Sequence, residues 1–344
     1  MTSHSWLLAK RTRKNYFSQP TMIRKKTKAL FNSDLYHGWH AKKNFFEGWY
    51  YKCVNADATE ALAIIPGVAM DGKGEKQAFI QILDGIKLTA DYIKFPFTSF
   101  QASKPAFEVE IEKNAFTRNK LKLDLPKLKG ELKFQNQVPW PSSLLSPGIM
   151  GPFSFVPFME CYHGILSLDH SIEGALEING RTVDFSGGRG YMEKDWGSSF
   201  PSAYFWMQSN HFSKPGISVK ASVAKIPWLT GSFVGFIAGV YFNKQLIQFT
   251  TYNRTNLIRS VASEKEVEIV LKNNRYKLCI KATKKDATEL ASPIGGFMDG
   301  RIKESMTSHM HVQLYEKGKL IFDDIGMNTG LEVAGEIDQI TIGE

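Results

Sequence analysis

Apolar and polar residues alternate with a period of two along most of the chain. At 107–112 three apolar residues alternate with three glutamates, and at 121–125 leucine alternates with lysine and aspartate. The same period recurs at 266–271 and 276–281. Because successive side chains of a strand point to opposite faces, this pattern predicts sheets with one apolar and one polar face.

Turn residues between these segments predict hairpins and a mostly β protein. Asn179-Gly180 suits the positive φ angles of a tight type I′ turn, and Lys317-Gly318 offers a second turn. Long helical patterns are scarce, which favours an antiparallel barrel or a pair of barrels over a doubly wound sheet. The proline-rich segment 140–157 is too apolar for a linker, and we expect it to pack as a rim or cover loop.

Charge divides the chain into a basic tail and a nearly neutral body. Of the 43 basic residues, eight lie in the first 28 positions, where there is no acid, so the remaining 35 nearly balance the 34 acids. This argues against nucleic-acid binding by the body. We expect 1–28 to be a basic, flexible tail, with peripheral contact to an anionic membrane as the alternative interpretation and Met22 as a candidate natural start.

The rest of the chain, 29–344, is expected to be one folded region with two similar halves, 29–198 and 199–344. Three widely spaced cysteines indicate no disulfide framework. No apolar stretch is typical of a transmembrane helix, and the N-terminus lacks the apolar core of a signal peptide. We therefore expect a cytoplasmic protein of bacterial type, and the oligomeric state stays open.

The densest group of polar and aromatic residues lies at 187–212. In a strand, Glu193 and Asp195 point to one face, and Lys194 and Trp196 point to the other. Two carboxylates in one pocket repel each other, and together with desolvation this raises one pKa and prepares a general acid. The alternative is a structural ion-pair network at a sheet corner.

Two other segments have the same mixture of residues. In FFEGWYYK, Glu47 and Trp49 fall on one strand face and Tyr50 on the other. In MECYHG, Glu160 lies three positions before His163. An isolated histidine is more often a hydrogen-bonded structural residue than a catalyst, so His163 alone is a weak candidate.

Signals for a metal or a cofactor are weak. His309 and His311 can share a strand face but have no third ligand nearby in the sequence. The GGRG stretch lacks the pattern of a phosphate-binding loop, and there is no GxSxG elbow. The sequence therefore predicts no cofactor and no metal site.

Four spaced motifs, FFEGWYYK, GPFSFVPFMECYHG, GGRGYMEKDWGSSFP and FWMQSNHF, together resemble the tocopherol cyclase family. The resemblance implies a lipocalin-like β architecture around a prenyl-lipid pocket. It also implies an isomerisation that closes a ring of a prenylated hydroquinone to give a chromanol. An alkene is protonated, and the phenolic oxygen captures the cationic carbon without a redox cofactor or a metal.

This reaction suggests roles for the residues selected above. Glu193 is the expected acid, Asp195 orients it, Lys194 is a charge partner, and Glu47 is the second choice of acid. Gln208 or His163 is expected to hold the hydroquinone hydroxyl groups, and Glu160 is a further substrate contact. Aromatic rings would stabilise positive charge in a water-poor cavity, and the candidates are Trp49, Tyr50, Trp196 and Trp206.

Two other interpretations remain. In the first, the protein is a non-catalytic, lipocalin-like carrier of a hydrophobic prenyl lipid. In the second, the motifs have a structural role only and close sheet corners. A carrier needs an apolar pocket and a few polar anchors, whereas an enzyme also needs an acid held protonated near the alkene. In either functional interpretation the expected partner is a hydrophobic small molecule.

Overall fold

The computed structural model describes residues 30–343, and strands dominate that part of the chain. The first antiparallel sheet contains twelve strands: β1 Phe45–Val54, β2 Ala61–Met70, β3 Lys76–Asp84, β4 Thr89–Pro96, β5 Phe100–Ala102, β6 Glu108–Ile111, β7 Asn114–Thr117, β8 Lys120–Leu125, β9 Leu128–Gln135, β10 Cys161–Ile178, β11 Arg181–Asp184 and β12 Arg189–Gly197. The basic tail 1–28 and Met22 lie outside the described residues.

The second antiparallel sheet contains ten strands: β13 Ala203–Ser209, β14 Ser218–Trp228, β15 Gly231–Phe242, β16 Gln245–Thr250, β17 Asn256–Ala262, β18 Glu266–Lys272, β19 Tyr276–Thr283, β20 Thr288–Ile294, β21 Phe297–Glu316 and β22 Lys319–Gly335. Short 3₁₀ helices are found at Gly38–His40, Phe97–Ser99, Gly151–Phe155 and Ile337–Ile340. None of the helices between residues 30 and 343 is long and apolar enough to cross a bilayer.

Both sheets are open in the part of the chain that the structure describes. The first runs in the order β4-β3-β2-β1-β12-β10-β9-β8-β7-β6-β5, with β11 paired to β10. The second runs β16-β15-β14-β13-β22-β21-β19-β18-β17, with β20 paired to β21. The predicted antiparallel β class in two packed halves is confirmed. Closure of each sheet into a barrel is not found, because no ladder joins β4 to β5 or β16 to β17 among the described strands.

The period-two pattern separates three apolar layers. In β1, Trp49 and Tyr51 pack into a core that belongs to the first sheet, whereas Tyr50 packs into a layer between the two sheets. In β13, Phe205 packs into the core of the second sheet and Trp206 into the layer between them. The central strands are therefore buried on both faces, and one of these faces meets the partner sheet.

The predicted turns have the expected backbone. Asn179 and Gly180 have φ angles of 52° and 80°, and Lys317 and Gly318 have φ angles of 48° and 83°. The left-handed region favours asparagine and glycine, which explains the Asn179-Gly180 hairpin, whereas in the second hairpin only Gly318 has this preference. The proline-rich segment 140–157 packs against the protein body, with Trp140 in the layer between the sheets.

Candidate active site

A cavity lies between the two sheets. The cavity is open at its mouth, and its space amounts to about 1350 Å³ when the adjoining solvent is counted. Its walls are mostly apolar, and they include side chains from both sheets and from the proline-rich segment, among them Phe46, Phe79, Phe153, Phe200 and Phe236. Such walls suit a predominantly apolar ligand.

A carboxyl–imidazole cluster lines one part of this cavity. Strand β12 directs Glu193 and Asp195 into it, and the pairing of β10 with β12 sets His163 opposite Asp195. His163 Nδ1 lies 2.6 Å from Asp195 Oδ1, and His163 Nε2 lies 3.6 Å from Glu193 Oε2. One ligand atom from each of the three side chains falls within 4.8 Å of the others. The sequence prediction that Glu193 and Asp195 share a strand face is confirmed.

Glu193 is held by donors from both sheets. Its Oε2 atom accepts hydrogen bonds from the Tyr191 hydroxyl of the first sheet and from Trp206 Nε1 of the second, at 3.1 Å for Trp206. Burial raises the pKa of Glu193, His163 lowers it, and Asp195 raises it further. The result is a pKa above the ordinary carboxyl value, which favours a carboxyl group that keeps its proton.

A second pair of carboxyl groups lines the same cavity. Glu304 of β21 and Glu332 of β22 face each other in register, and hydroxyl groups of Tyr50 and Tyr204 donate to them at 2.5 and 2.7 Å. Burial raises the pKa of Glu304 to about 7 and raises that of Glu332 well above its usual range. Neither carboxyl group is predicted from the sequence, where the only signal for Glu332 is a single acid inside the apolar run LEVA.

Lys220 is the third feature that the sequence analysis missed. It lies on β14 in full burial, and its Nζ atom donates to Ser222 Oγ at 2.6 Å. Burial lowers the pKa of Lys220 to about 8. The sequence gives no local signal for it, because Val219-Lys220-Ala221 has the same alternation as a strand with a solvated lysine.

Four of the predicted site residues lie on the other face of the first sheet. Lys194 Nζ forms a buried ion pair with Glu47 and lies 4.7 and 4.8 Å from the ring centroids of Trp49 and Trp196. It also lies 2.8 Å from His37 Nδ1. Burial alone would raise the pKa of Glu47, but Lys194 and His37 outweigh it and lower the pKa. Glu47 and Lys194 therefore form an ionised pair that lies outside the cavity.

Two other predicted contacts also lie outside the cavity lining. Gln208 is buried, and its side-chain oxygen accepts a hydrogen bond from Lys52 Nζ at 3.0 Å. Glu160 is partly exposed, and burial raises its pKa. The cavity therefore brings together Glu193, Asp195, His163, Tyr50 and Trp206 of the predicted set, but not Glu47, Lys194, Trp49, Trp196, Glu160 or Gln208.

The carboxyl–imidazole cluster also has the donor types of a metal site. Glu193, Asp195 and His163 are the one group of three such side chains that comes close enough to hold an ion within residues 30–343. His163 Nδ1 already contacts Asp195, so Nε2 is the ring atom free to bind an ion. His311 instead lies on the surface, 2.6 Å from Asp323 Oδ1.

Comparison with known proteins places this site in a family. The tocopherol cyclase-like family model matches residues 131–335, which include the carboxyl–imidazole cluster, the second carboxyl pair and Lys220. The chain belongs to the tocopherol cyclase-like family. The resemblance expected from the four sequence motifs is confirmed.

Two plant members of the family have local similarity to this chain. A probable chloroplastic tocopherol cyclase of Oryza sativa subsp. japonica is 25% identical over 194 residues, which is 52% of this chain and 40% of that protein. The chloroplastic tocopherol cyclase of Zea mays is 25% identical over 193 residues, with the same coverage of 52% and 40%. The match thus spans less than half the length of these curated relatives.

Solved structures share the fold. CghA with Sch210972 has a TM-score of 0.52 and 12% identity, covering 85% of this chain and 89% of that one. A putative AttH of Nitrosomonas europaea has a TM-score of 0.52 and 14% identity, covering 96% and 100%. These similarities confirm the lipocalin-like β class for the tocopherol cyclase-like chain.

Proposed function

We propose that this protein is an enzyme that closes the chromanol ring of a prenylated hydroquinone by acid catalysis. The observation that carries the proposal is the grouping of Glu193, Asp195 and His163 within 4.8 Å inside an apolar cavity. Membership of the tocopherol cyclase-like family and the names of the two plant relatives support the same class of reaction.

The geometry of ring closure requires a proton donor and a proton acceptor that are close together. One alkene carbon takes a proton, the neighbouring carbon bonds to the phenolic oxygen, and that oxygen loses its own proton. Protonated Glu193 supplies the first proton, breaking its O–H bond as the C–H bond forms. His163 Nε2 accepts the phenolic proton, and Asp195 stabilises the resulting imidazolium through Nδ1. Protons and electrons then balance, because the product is an isomer of the substrate.

The same cluster can restore its starting state without a cofactor. His163 Nε2 lies 3.6 Å from Glu193 Oε2, so the proton taken from the phenol can return to the carboxylate after a small movement of either side chain. The short path also explains why an acid and a base occupy one site. Each turnover consumes one proton and releases one proton.

The walls of the cavity suit the cationic stage of the reaction. The rings of Tyr50 and Trp206 line the space near Glu193, with a centroid separation of 5.7 Å. Aromatic faces stabilise positive charge, and the apolar walls exclude water that would otherwise add to the carbocation. The apolar walls of the cavity would accommodate the prenyl chain.

A lipid carrier is the second candidate, because the apolar cavity alone would bind a prenyl lipid. The carboxyl groups distinguish the two functions. A carrier gains nothing from burying Glu193 beside Asp195, since buried charges are costly unless they are paired. An enzyme requires such a group in its protonated form.

The test uses the purified protein and a panel of prenylated hydroquinones under anaerobic conditions, which keep the hydroquinones reduced. Lipids are extracted and separated by chromatography with mass and absorbance detection. We expect a chromanol isomer of unchanged mass and altered retention, and its loss in Glu193→Gln with folding retained. Glu160→Gln is the matched control, because Glu160 is a carboxyl group outside the cavity lining, and it should retain turnover.

Two results would contradict the proposal. Lipid that co-purifies unchanged would establish the carrier. The absence of both binding and conversion would exclude this substrate class. Full turnover in Glu193→Gln, with a chromanol formed by the wild-type protein, would leave the reaction standing but would remove Glu193 from the proton transfer.

A further inference from the structure

Lys220 is a buried cation with an incomplete set of partners. Its side chain is fully buried, and Ser222 Oγ accepts its hydrogen bond at 2.6 Å. No carboxylate oxygen lies within 4.0 Å of Nζ among residues 30–343. An ammonium group has three donors, and a buried cation without a counter-ion is costly. Because Lys220 and Ser222 both line the cavity, a ligand can supply the missing acceptor.

The acidic groups nearest to Lys220 are engaged elsewhere. Glu193, Asp195 and Cys161 are the groups whose charges act on the Lys220 ammonium. Glu193 Oε2 accepts from Tyr191 and Trp206, and Asp195 Oδ1 contacts His163. The Cys161 thiol has its pKa raised well above the usual range by burial, so it stays neutral. None of the three is a direct counter-ion for Lys220.

We propose that Lys220 and Ser222 form an oxyanion site that binds an acidic hydroxyl group of the ligand, a phenol or an enol, as its anion. The ammonium group and the hydroxyl group lie 2.6 Å apart on the cavity wall, close enough for both to donate to one ligand oxygen atom. A carboxylate or a phosphate would present two or three charged oxygens and is better matched by the forked donors of arginine. The site therefore selects a single acidic oxygen attached to an apolar body.

This inference deepens the proposed cyclase and relies on it only for the identity of the natural ligand. In that reaction the site holds the phenolic oxygen while its O–H bond breaks and its proton passes to His163 Nε2. The phenolate is a stronger nucleophile than the phenol, and it forms the C–O bond with the cationic carbon. Lys220 keeps its own protons throughout.

The experiment uses 4-nitrophenol as the probe, because its anion absorbs at longer wavelength than its neutral form. The bound probe is titrated by absorbance with wild-type protein, Lys220→Met and Lys220→Gln. A cation within contact distance stabilises the anion, so we expect the pKa of the bound probe to be about 1 to 3 units lower in the wild type than in either variant. Lys225→Met is the matched control on the same strand, since Lys225 Nζ donates to Gln339 at the surface.

Burial in an apolar cavity raises the pKa of a phenol, whereas a nearby cation or hydrogen-bond donors to the anion lower it, and the comparison with the Lys220 variants separates the cation from the other donors. A bound probe with a pKa at or above its value in water would overturn the oxyanion site, as would the absence of binding. Equal pKa values in the wild type and both Lys220 variants would overturn it too. A lowered pKa in a protein that forms no chromanol would support the oxyanion site and refute the cyclase.

Discussion

Replacing Lys194 by methionine removes the ammonium group that neutralises Glu47 on the buried face of the first sheet that lies away from the cavity. Both side chains are fully buried, and Lys194 also contacts the carbonyl oxygen of Leu35 and lies over two indole rings. Breaking a buried pair by removing one partner costs about 3–5 kcal/mol, because the other charge stays buried. We expect a loss of unfolding free energy in this range.

The contacts that Glu47 retains in the Lys194→Met variant place the loss of unfolding free energy near the lower limit of this range. The backbone N–H groups of His37 and Gly38 donate to the carboxylate at 2.9 to 3.0 Å, and these bonds do not depend on Lys194. We therefore expect Lys194→Met to lose about 3 kcal/mol. The double variant Glu47→Gln with Lys194→Met should be less destabilised than the sum of the single variants, with a coupling of about 2 kcal/mol.

Equilibrium unfolding in urea measures these differences, provided that the slope against denaturant stays constant. Lys281→Met is the control, because Lys281 forms a surface pair with Glu266 at 2.8 Å and should have a much smaller effect. A Lys194→Met protein as stable as Lys281→Met would refute the reasoning. Loss of chromanol formation in Glu47→Gln without loss of stability would instead support a catalytic role for Glu47.

Two other predictions concern the cavity. The pKa of Glu304 is raised from 4.5 to about 7 in the folded protein, so the unfolded chain ionises first as pH rises. The contribution of Glu304 to stability is fully present below pH 4.5 and is lost as pH approaches 7. Glu304→Gln should therefore make the urea unfolding midpoint depend less on pH over this window. An unchanged pH profile of the midpoint in this variant would contradict the raised pKa. His163→Gln should lower kcat by about 10²- to 10⁴-fold while ligand binding persists. Wild-type kcat in that variant, measured by chromanol formation, would exclude His163 as the proton acceptor.

The period of two was sufficient to predict the strand faces of the candidate site. It placed Glu193 and Asp195 on one face of β12 and Lys194 on the other, as the structure has them. A period of two cannot tell which face meets the second sheet. For that reason the sequence predicts Glu47 and Tyr50 as members of one site, although they point to opposite sides of β1.

The missing part of the site depends on contacts between distant segments. Glu304 and Glu332 reach the cavity because β21 and β22 pair in register, and Tyr50 and Tyr204 meet them from two different strands. No local pattern encodes this arrangement, because the hydrogen bond from Tyr50 to Glu304 joins residues 254 positions apart. Lys220 was missed since an isolated lysine in a strand normally marks a solvated face.

The hydrogen bond from Trp206 to Glu193 joins the second sheet to the acid of the first. The same carboxylate oxygen accepts a hydrogen bond from Tyr191 of the first sheet, so the acid lies at the seam between the two sheets. Displacing the second sheet would expose Glu193 to water, and its pKa would fall toward the ordinary carboxyl value, because burial is the largest cause of its elevation. The packing of the two sheets therefore sets the protonation of Glu193 as well as the walls of the cavity, and a substitution that loosens this contact would change both.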